Sequence, residues 1–499
     1  MDGNFRSNQD ADSGRLAPAS GITRAGEKRY PFSLLLLIAA SLPLYWYYAL
    51  YNPFCYYSLH SDSSYYLGVA DSLFRGGGLV DATFDPPGPV ITTQHGIAFV
   101  ALGLMKIGIS GTRKLYLALI TINYLAFIWS TLLVYRLAVR FNLSLTIALL
   151  IAANFVLSDN IFRMLTFPIN DGIYFLLSAI ATLMILENHD EERGWHYLLI
   201  LLMSMMAAHF RLQSILVPFS ASLAYLLKKE FRRTTYYLLI TATSFLCVYL
   251  FYQIAISDFS GINGTIGVTK KVMSNPLQVV QGIFSQGLPI LFLKFGEGFT
   301  ERYIIYSAPL FVAIGAAILY ACAVFIKEGH FKHVFISAVI LSHFGLFFIS
   351  PGMSFRYIVF LFPILLILWG IFTKDWNWGG RLLAGYLIYS VLIITVRLTW
   401  VDARHLPMKK HQVESSWIDD NVIFISQNPR FSYLVFSHPS CNFCDLPSGS
   451  KNYAIFGKDD YVKAQLAELQ RKIAIRDTVY SGKYWVTQGS WSTLVRVVR

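Results

Sequence analysis

Three acidic residues border long apolar runs of the chain, where a carboxylate is costly to keep and usually marks a functional site. Asp62 lies in "HSDSSYYLGVADSLFRGGGLVD" (60–81), after the first apolar run, and Asp159 and Asp171 border later runs. An acidic group at such a border can take a proton from the hydroxyl group of a molecule dissolved in water. The alternative for Asp62 and Asp171 is structural, because an Asp at a helix start often caps backbone N–H groups.

Basic and aromatic residues are expected on the same rim. Arg211 lies in "AHFRLQS", Arg356 in "SPGMSFRYIVF", and Lys270 in a long polar connector. An Arg or Lys there would hold a phosphate leaving group whose lipid tail stays in the membrane. Tyr66 would line the site and His95 would add a polar group. The alternative is that Arg211 and Arg356 only reach from apolar segments toward the membrane surface.

The composition indicates an integral membrane protein. Of 499 residues, 55% are hydrophobic and 14% are charged, which lies far outside the range of soluble domains. A bilayer needs about 20 apolar residues for each helical span. Nine runs contain no charged residue: 31–51, 115–135, 141–158, 194–210, 212–227, 234–257, 303–326, 334–355 and 357–373. Two shorter runs, 172–186 and 382–396, are also plausible spans and bring the predicted number to eleven. The sequence contains no motif of basic and aromatic residues that would indicate a nucleic-acid partner.

The distribution of Lys and Arg predicts the orientation of these spans, because basic residues concentrate in cytoplasmic loops. A cytoplasmic N-terminus gives a consistent alternation in which connectors such as 228–233 are also cytoplasmic. The segments 52–114, 159–171, 258–302 and the tail after 397 then lie on the outer face. The net charge of +12 is explained by the inner loops and by anionic lipid.

The first outer loop, 52–114, is predicted to contain two helices. Apolar residues recur at helical spacing at Tyr66, Val69, Ala70, Leu73 and Phe74. We expect this helix to lie in the membrane interface against lipid or the helix bundle, with Asp62 in its first turn and the glycines at 76–78 ending it. After a turn at "DPPGP", the run "HGIAFVALGLMKIGIS" predicts a second surface or re-entrant helix, too short to span.

The two ends of the chain are predicted to lie outside the membrane. Residues 1–30 are polar and are expected to form a disordered cytoplasmic tail, and 31–400 form the transmembrane domain. Residues 401–499 alternate β-prone runs with one helical stretch at 459–471, which predicts a small extracytoplasmic α/β domain. Cys441 and Cys444 lie there in "HPSCNFC"; a structural or incidental pair is favoured over a metal site with His438.

These motifs, taken in order, resemble the GT-C membrane glycosyltransferases. In that family an Asp after the first span precedes a Tyr-Tyr-Leu-x-x-Ala helix and a Gly-x-Gly turn, as "DSSYYLGVADSLFRGGGLVD" does here. "PPGPVITTQHGIAFVAL" is similar to the Pro-rich stretch and apolar helix that follow, and Asp171 and "FRYIVFLFPILLIL" fit the later layout. Within the family, the chain resembles the bacterial protein-mannosyltransferase-like and lipid A aminoarabinose-transferase-like members, and this resemblance implies a bacterial inner membrane.

The resemblance implies a polytopic all-α enzyme that transfers a sugar, with inversion, from a polyprenyl-phosphate donor to a lipid, glycan or protein acceptor on the extracytoplasmic face. Asp62 takes the role of general base and Asp171 that of a secondary acid, with Arg356, Arg211, Tyr66, His95 and Lys270 as substrate contacts. Many members have Asp-Glu where this chain has Asp62-Ser63, so a divalent metal held by Asp62 and Asp171 is possible but not required.

Two other functions fit parts of the pattern. A secondary transporter or lipid flippase would also have many spans, but it would be expected to show repeated halves and a site at the midplane. A lipid-linked polysaccharide ligase or polymerase would also use a lipid-linked donor, but that donor would carry a diphosphate-linked glycan. The size of the product would separate it from a single-sugar transferase.

Overall fold

The structure is a computed structural model. It describes residues 32–46, 57–85, 87–88, 94–255, 297–349, 359–374, 378–396, 422–427, 452–487 and 490–498. Within these ranges the chain is mainly helical, with one small sheet near the C-terminus.

The described helices are α1 (Phe32–Ala40), α2 (Leu42–Trp46), α3 (Tyr57–Phe74), α4 (Gly96–Lys106), α5 (Thr112–Arg140), α6 (Leu145–Val156), α7 (Asp159–Thr166), α8 (Asp171–Asp190), α9 (Gly194–Phe210), a 3-10 turn (Leu212–Ile215), α10 (Leu216–Leu227), α11 (Phe231–Ala255), α12 (Glu297–Glu328), α13 (Phe331–Ile349), α14 (Leu361–Thr373), α15 (Gly379–Val396) and α16 (Asp459–Lys472). The strands are β1 (Val422–Ser426), β2 (Asn452–Gly457), β3 (Asp477–Thr487) and β4 (Ser490–Val498).

The chain is a multi-pass membrane protein by the length and composition of its helices. In the described part, five helices qualify as spans: α5, α8, α11, α12 and α15. The pair α6 and α7 counts as a sixth if it is one bent span, and shorter apolar helices accompany them. The full number of eleven spans stays a prediction. The predicted run 212–227 is not one uninterrupted helix, because a 3-10 turn occupies its first four residues.

Helix α8 is the central helix of the bundle. It packs against α5 on one side and α9 on another, and 67% of its apolar window is buried, compared with 17% for α15. Such a helix must be apolar on nearly all sides, which its sequence between Gly172 and Leu186 satisfies. The acidic residue at its start, Asp171, is fully buried.

The connection between α6 and α7 bends the chain by 64° after Val156. Every residue of α7 is buried, including Asp159 and Arg163, which form an ion pair of 3.0 Å one helical turn apart. Nη2 of Arg163 also donates to Oδ1 of Asn160 at 2.7 Å. A buried charge needs such partners. Asp159, predicted to end the third span, thus begins a short buried helix and is neutralised locally.

Helix α3 begins earlier than the sequence predicted. It starts at Tyr57, so Asp62 is its sixth residue and lies beyond the first turn. A capping residue precedes the helix that it caps, so the interpretation of Asp62 as the N-cap is wrong. Residues 63–70 are all buried, which shows that this part of α3 is enclosed by the bundle. The predicted end is confirmed, since the helix stops at Phe74, before the glycines.

The C-terminal elements form a four-stranded sheet in the order β1-β2-β4-β3, in which β1 and β2 are parallel and the other pairs antiparallel. Helix α16 follows β2, packs against β2 and β4, and covers a small apolar core that includes Ile455, Leu469 and Val497. The predicted alternation of strands with one helix is found in the described part of this segment, and the predicted helix at 459–471 corresponds to α16. The limits of a separate domain and its side of the membrane stay predictions.

A glycine allows α7 and α8 to meet. A Cβ added at Gly172 would lie 2.2 Å from the backbone oxygen of Leu165 and 2.9 Å from Oδ1 of Asn123. Because backbone has to move to relieve the first clash, we expect Gly172→Ala to lower the free energy of unfolding by about 1–3 kcal/mol. Thermal unfolding in detergent would measure it.

Gly103 in α4 offers the matched control, because an added Cβ there meets nothing within 4 Å. Gly103→Ala should be neutral or stabilising by up to about 1 kcal/mol through helix propensity. Equal unfolding temperatures for Gly172→Ala and the wild type would contradict the close approach.

Candidate functional site

Asp62 lies on a half-buried part of α3 and shares a helix face with Tyr66. The two residues are four positions apart, so their side chains lie on adjacent turns of one face. Asp62 is partly exposed, whereas Tyr66 is 5% exposed. The face therefore runs from a partly exposed carboxylate to a hydroxyl inside the bundle. Gly76 and Gly78 adopt positive φ after the helix, a conformation that glycine adopts without strain.

Asn170 connects that face to the start of α8. Its Nδ2 group donates to the Tyr66 hydroxyl at 2.8 Å and to the backbone oxygen of Gln94 at 2.7 Å. Its Oδ1 atom accepts from the backbone N–H of Ile97 at 2.9 Å. The side chain is fully buried. One amide therefore joins α3, the beginning of α4 and the beginning of α8.

Asp171 and Arg211 form a buried, two-pronged ion pair beside Asn170. Nε and Nη2 of Arg211 each donate to one carboxylate oxygen of Asp171, both at 2.9 Å. The side chains are 0% and 7% exposed, so water screens their attraction little. This parallel geometry is the strongest arrangement that a guanidinium and a carboxylate adopt. The two residues, both predicted from the sequence as site members, are thus brought into direct contact.

Two short segments lie side by side around this pair. Nη1 of Arg211 donates to Oε1 of Gln94 at 3.3 Å. Next to it, a Cβ added at Gly96 would meet the ring of Phe210 at 2.5 Å, so only a glycine allows this approach. The residues before α4 and those at the end of α9 therefore form one wall of the candidate site.

His95 is part of the same wall and is fully buried. Its Nε2 atom lies 2.7 Å from the Tyr65 hydroxyl, and its backbone N–H donates to the Tyr252 hydroxyl at 3.0 Å. Burial lowers the pKa of His95 to about 3. The imidazole is therefore neutral at physiological pH, which suits a hydrogen-bonding contact and excludes a role as a positive contact to phosphate.

This burial predicts a pH-dependent stability. The pKa of His95 falls from 6.5 in the unfolded chain to about 3 in the folded one, so its contribution is present above pH 6.5 and is lost as the pH falls toward 3. At pH 5 the free energy of unfolding is therefore expected to be about 2 kcal/mol lower than at pH 7. The free energy of unfolding of His95→Gln should differ less between pH 7 and pH 5 than that of the wild type. The exposed His330 is the control, and His330→Gln should keep the wild-type difference.

Several predicted site residues lie outside the part of the chain that the structure describes. These are Arg356 and Lys270, and Cys441 and Cys444 of the C-terminal segment. Their proposed roles stay predictions. The described residues bring together Tyr66, His95, Asp171 and Arg211, with Asp62 one helical turn from Tyr66.

The geometry bears on the predicted metal site. In the described ranges, no group of three or more His, Cys, Asp or Glu side chains is placed to hold a metal ion. Both carboxylate oxygens of Asp171 accept hydrogen bonds from Arg211. The guanidinium cation therefore lies where a metal ion would have to bind this carboxylate. Asp171 is therefore better suited to hold Arg211 than to bind a metal, and a metal at Asp62 stays a prediction.

Sequence reasoning missed two members of the site, Asn170 and Gln94. Both are uncharged, and neither belongs to a motif of known spacing. The available signal was their position, since Asn170 directly precedes Asp171 and Gln94 directly precedes His95. Polar amides next to predicted site residues at the ends of apolar helices are worth testing as hydrogen-bonding partners.

Comparison with solved structures identifies the fold. The crystal structure of ArnT from Cupriavidus metallidurans bound to undecaprenyl phosphate matches with a TM-score of 0.58 and 10% identity, over 93% of this chain and 97% of that one. The same protein in the apo state matches with a TM-score of 0.54 and 12% identity over the same shares. This chain has the GT-C fold. No protein-family model matches the sequence, and no curated protein matches it significantly.

The GT-C fold agrees with the helical membrane fold that the resemblance implied, whereas the eleven spans and the separate C-terminal domain stay predictions. At 10–12% identity the overall arrangement is shared while nearly all side chains differ. Fold alone does not define a reaction, so the function has to be argued from the site.

Proposed function

We propose that this protein is a membrane glycosyltransferase that moves a sugar from a polyprenyl-phosphate donor to an acceptor on the extracytoplasmic face, with inversion and with Asp62 as general base. The fold supports the class of donor, because one structural neighbour is bound to undecaprenyl phosphate and is matched over 93% of this chain. The orientation rests on the distribution of Lys and Arg in the loops.

The observation that carries this proposal is the position of Asp62. The carboxylate is partly exposed on α3, one helical turn from a tyrosine that is hydrogen-bonded into the Asp171–Arg211 cluster. A base must be open to a dissolved acceptor and close to a site that holds the donor's polar end. A half-buried carboxylate beside a buried, charged and aromatic wall meets both requirements.

The reaction proposed is a single displacement. The acceptor hydroxyl oxygen forms a bond to the anomeric carbon of the sugar as the bond from that carbon to the phosphate oxygen breaks. The bonding pair leaves with polyprenyl phosphate, and the acceptor proton passes to the Asp62 carboxylate. Attack opposite the leaving group inverts the anomeric centre, and inverting chemistry of this kind needs only one base.

The remaining residues are assigned by charge. Arg356 and Lys270 are the proposed phosphate contacts, since a cation stabilises the phosphate charge that develops as the bond breaks. Arg211 is proposed as a further phosphate contact, but its pairing with Asp171 lowers the net charge that it offers. Tyr66 and the neutral His95 are proposed to contact the sugar or the acceptor. Asp171 is proposed as a secondary acid that orients the acceptor through this wall.

The proposed setting is a bacterial inner membrane, with a lipid, a glycan or a protein as acceptor. A direct test is to supply the purified protein with undecaprenyl-phosphate sugars and membrane extract. Mass spectrometry should then detect free undecaprenyl phosphate and one added sugar on the acceptor. The addition of a long glycan would instead support the ligase or polymerase alternative.

One observation favours a transporter or flippase. The bent pair α6 and α7 resembles the broken helices that transporters use, in which half-helix ends face a substrate. Sealed vesicles distinguish the two functions. Movement of a sugar lipid across the vesicle membrane without any chemical change would support transport, whereas release of undecaprenyl phosphate supports transfer.

A further inference from the structure

Asn170 stands at the N-cap position of α8 but does not cap the helix. An Asn at this position usually accepts a hydrogen bond from the backbone of the next turn. Here its side chain makes no such bond and reaches instead to α3 and to the residues before α4. A fully buried amide that gives up the ordinary local bond for long-range ones is placed to fix the relative position of those elements.

The bonds of Asn170 complete a closed ring. Asn170 donates to the backbone oxygen of Gln94, the Gln94 side chain accepts from Arg211, and Arg211 donates twice to Asp171, which follows Asn170 in the chain. The second hydrogen of the Asn170 amide extends the ring to the Tyr66 hydroxyl on α3. The side chain of Asn170 thereby links helix α3 to the ion pair.

We propose that Asn170 is a positioning residue that sets α3, and with it Asp62, relative to the Asp171–Arg211 pair. This inference rests on the proposed function in assigning the base role to Asp62. All three hydrogen-bonding groups of the amide are used, two N–H bonds and one oxygen. If Asp replaced Asn170, its ionised carboxylate would have the same shape but no N–H group to donate to the backbone oxygen of Gln94. A backbone oxygen can only accept, so this hydrogen bond would be lost.

The test is the kinetics of Asn170→Asp. Since a displacement of about 1 Å at a reacting group costs about 100-fold in rate, we expect kcat to fall by about that factor. KM for the donor should change by less than about 3-fold, because the substrate contacts themselves are retained.

Asn154 provides the matched control for a purely structural role. It is a buried Asn whose amide donates to the backbone oxygens of Leu150 and Leu383, both at 3.0 Å, and so joins α6 to α15. Asn154→Asp should lower stability with kcat close to that of the wild type. A wild-type kcat in Asn170→Asp, or an equal loss of kcat in both variants, would overturn the proposal.

A readout without turnover separates this proposal from the proposed function. In a chain whose five native cysteines are replaced by serine, Asp62→Cys reports the exposure of that position through its rate of labelling by a water-soluble maleimide. Adding Asn170→Asp should change this rate at least about 3-fold, whereas Asn154→Asp should not. If the wild type transfers no sugar, the proposed function fails, and an unchanged labelling rate would then reject the positioning role separately.

Discussion

Asp62→Asn is expected to lower the rate of sugar transfer about 1,000-fold while the protein still folds and inserts. A positioned general base contributes about 10²- to 10⁴-fold, and the amide cannot accept the acceptor proton. The two side chains have nearly the same shape, so the helix α3 around position 62 should be retained. The measurement is kcat for release of undecaprenyl phosphate, with unfolding in detergent as the check on folding.

Asp71 gives the matched control on the same helix. It forms an ion pair with the exposed Arg75 at 3.0 Å and lies nine residues from Asp62, near the far end of α3. Asp71→Asn should therefore keep the wild-type kcat. If Asp62→Asn transferred sugar as fast as Asp71→Asn, the assignment of the base would be wrong.

Arg211→Met is expected to lower the free energy of unfolding by about 3–5 kcal/mol. It leaves the fully buried Asp171 without its cation, and removing one partner of a buried pair is much more costly than the pair itself is worth. Unfolding by denaturant in detergent micelles would measure the loss. The double variant Asp171→Leu with Arg211→Met removes both charges and should recover most of the stability.

The surface pair of Arg471 and Glu468 on α16, 3.4 Å apart, is the control. Arg471→Met should cost less than about 1 kcal/mol, because exposed pairs are screened by water. A similarly small cost for Arg211→Met would contradict the buried geometry. Little recovery in the double variant would show that Asp171 and Arg211 stabilise different parts of the bundle.

Local patterns predicted the parts of the fold that local physics decides. The apolar stripe and the glycines placed the end of α3 correctly, because glycine ends a helix wherever it occurs in a series. The start of α3 was missed, since the residues from Tyr57 to Asp62 have no capping signal that separates them from the preceding apolar run. The same limitation hid the 3-10 turn before α10 and the bend after Val156.

The candidate site was predicted as a set of residues but not as an arrangement. Asp171 and Arg211 were both recognised from their positions at apolar borders, yet their contact depends on how α8 packs against α9. No periodicity encodes that packing. Asn170 and Gln94 were missed for a related reason, because an uncharged amide gains meaning only from the partners that the tertiary structure supplies.

The order of synthesis adds a consequence of the Asp171–Arg211 pair. Forty residues separate the two, so the carboxylate of Asp171 is synthesised before the cation that neutralises it. A lone carboxylate is unfavourable inside hydrocarbon, whereas a neutralised one is tolerated. We therefore expect α8 and α9 to enter the bilayer together as a helical hairpin, and a chain truncated before residue 211 to insert α8 poorly.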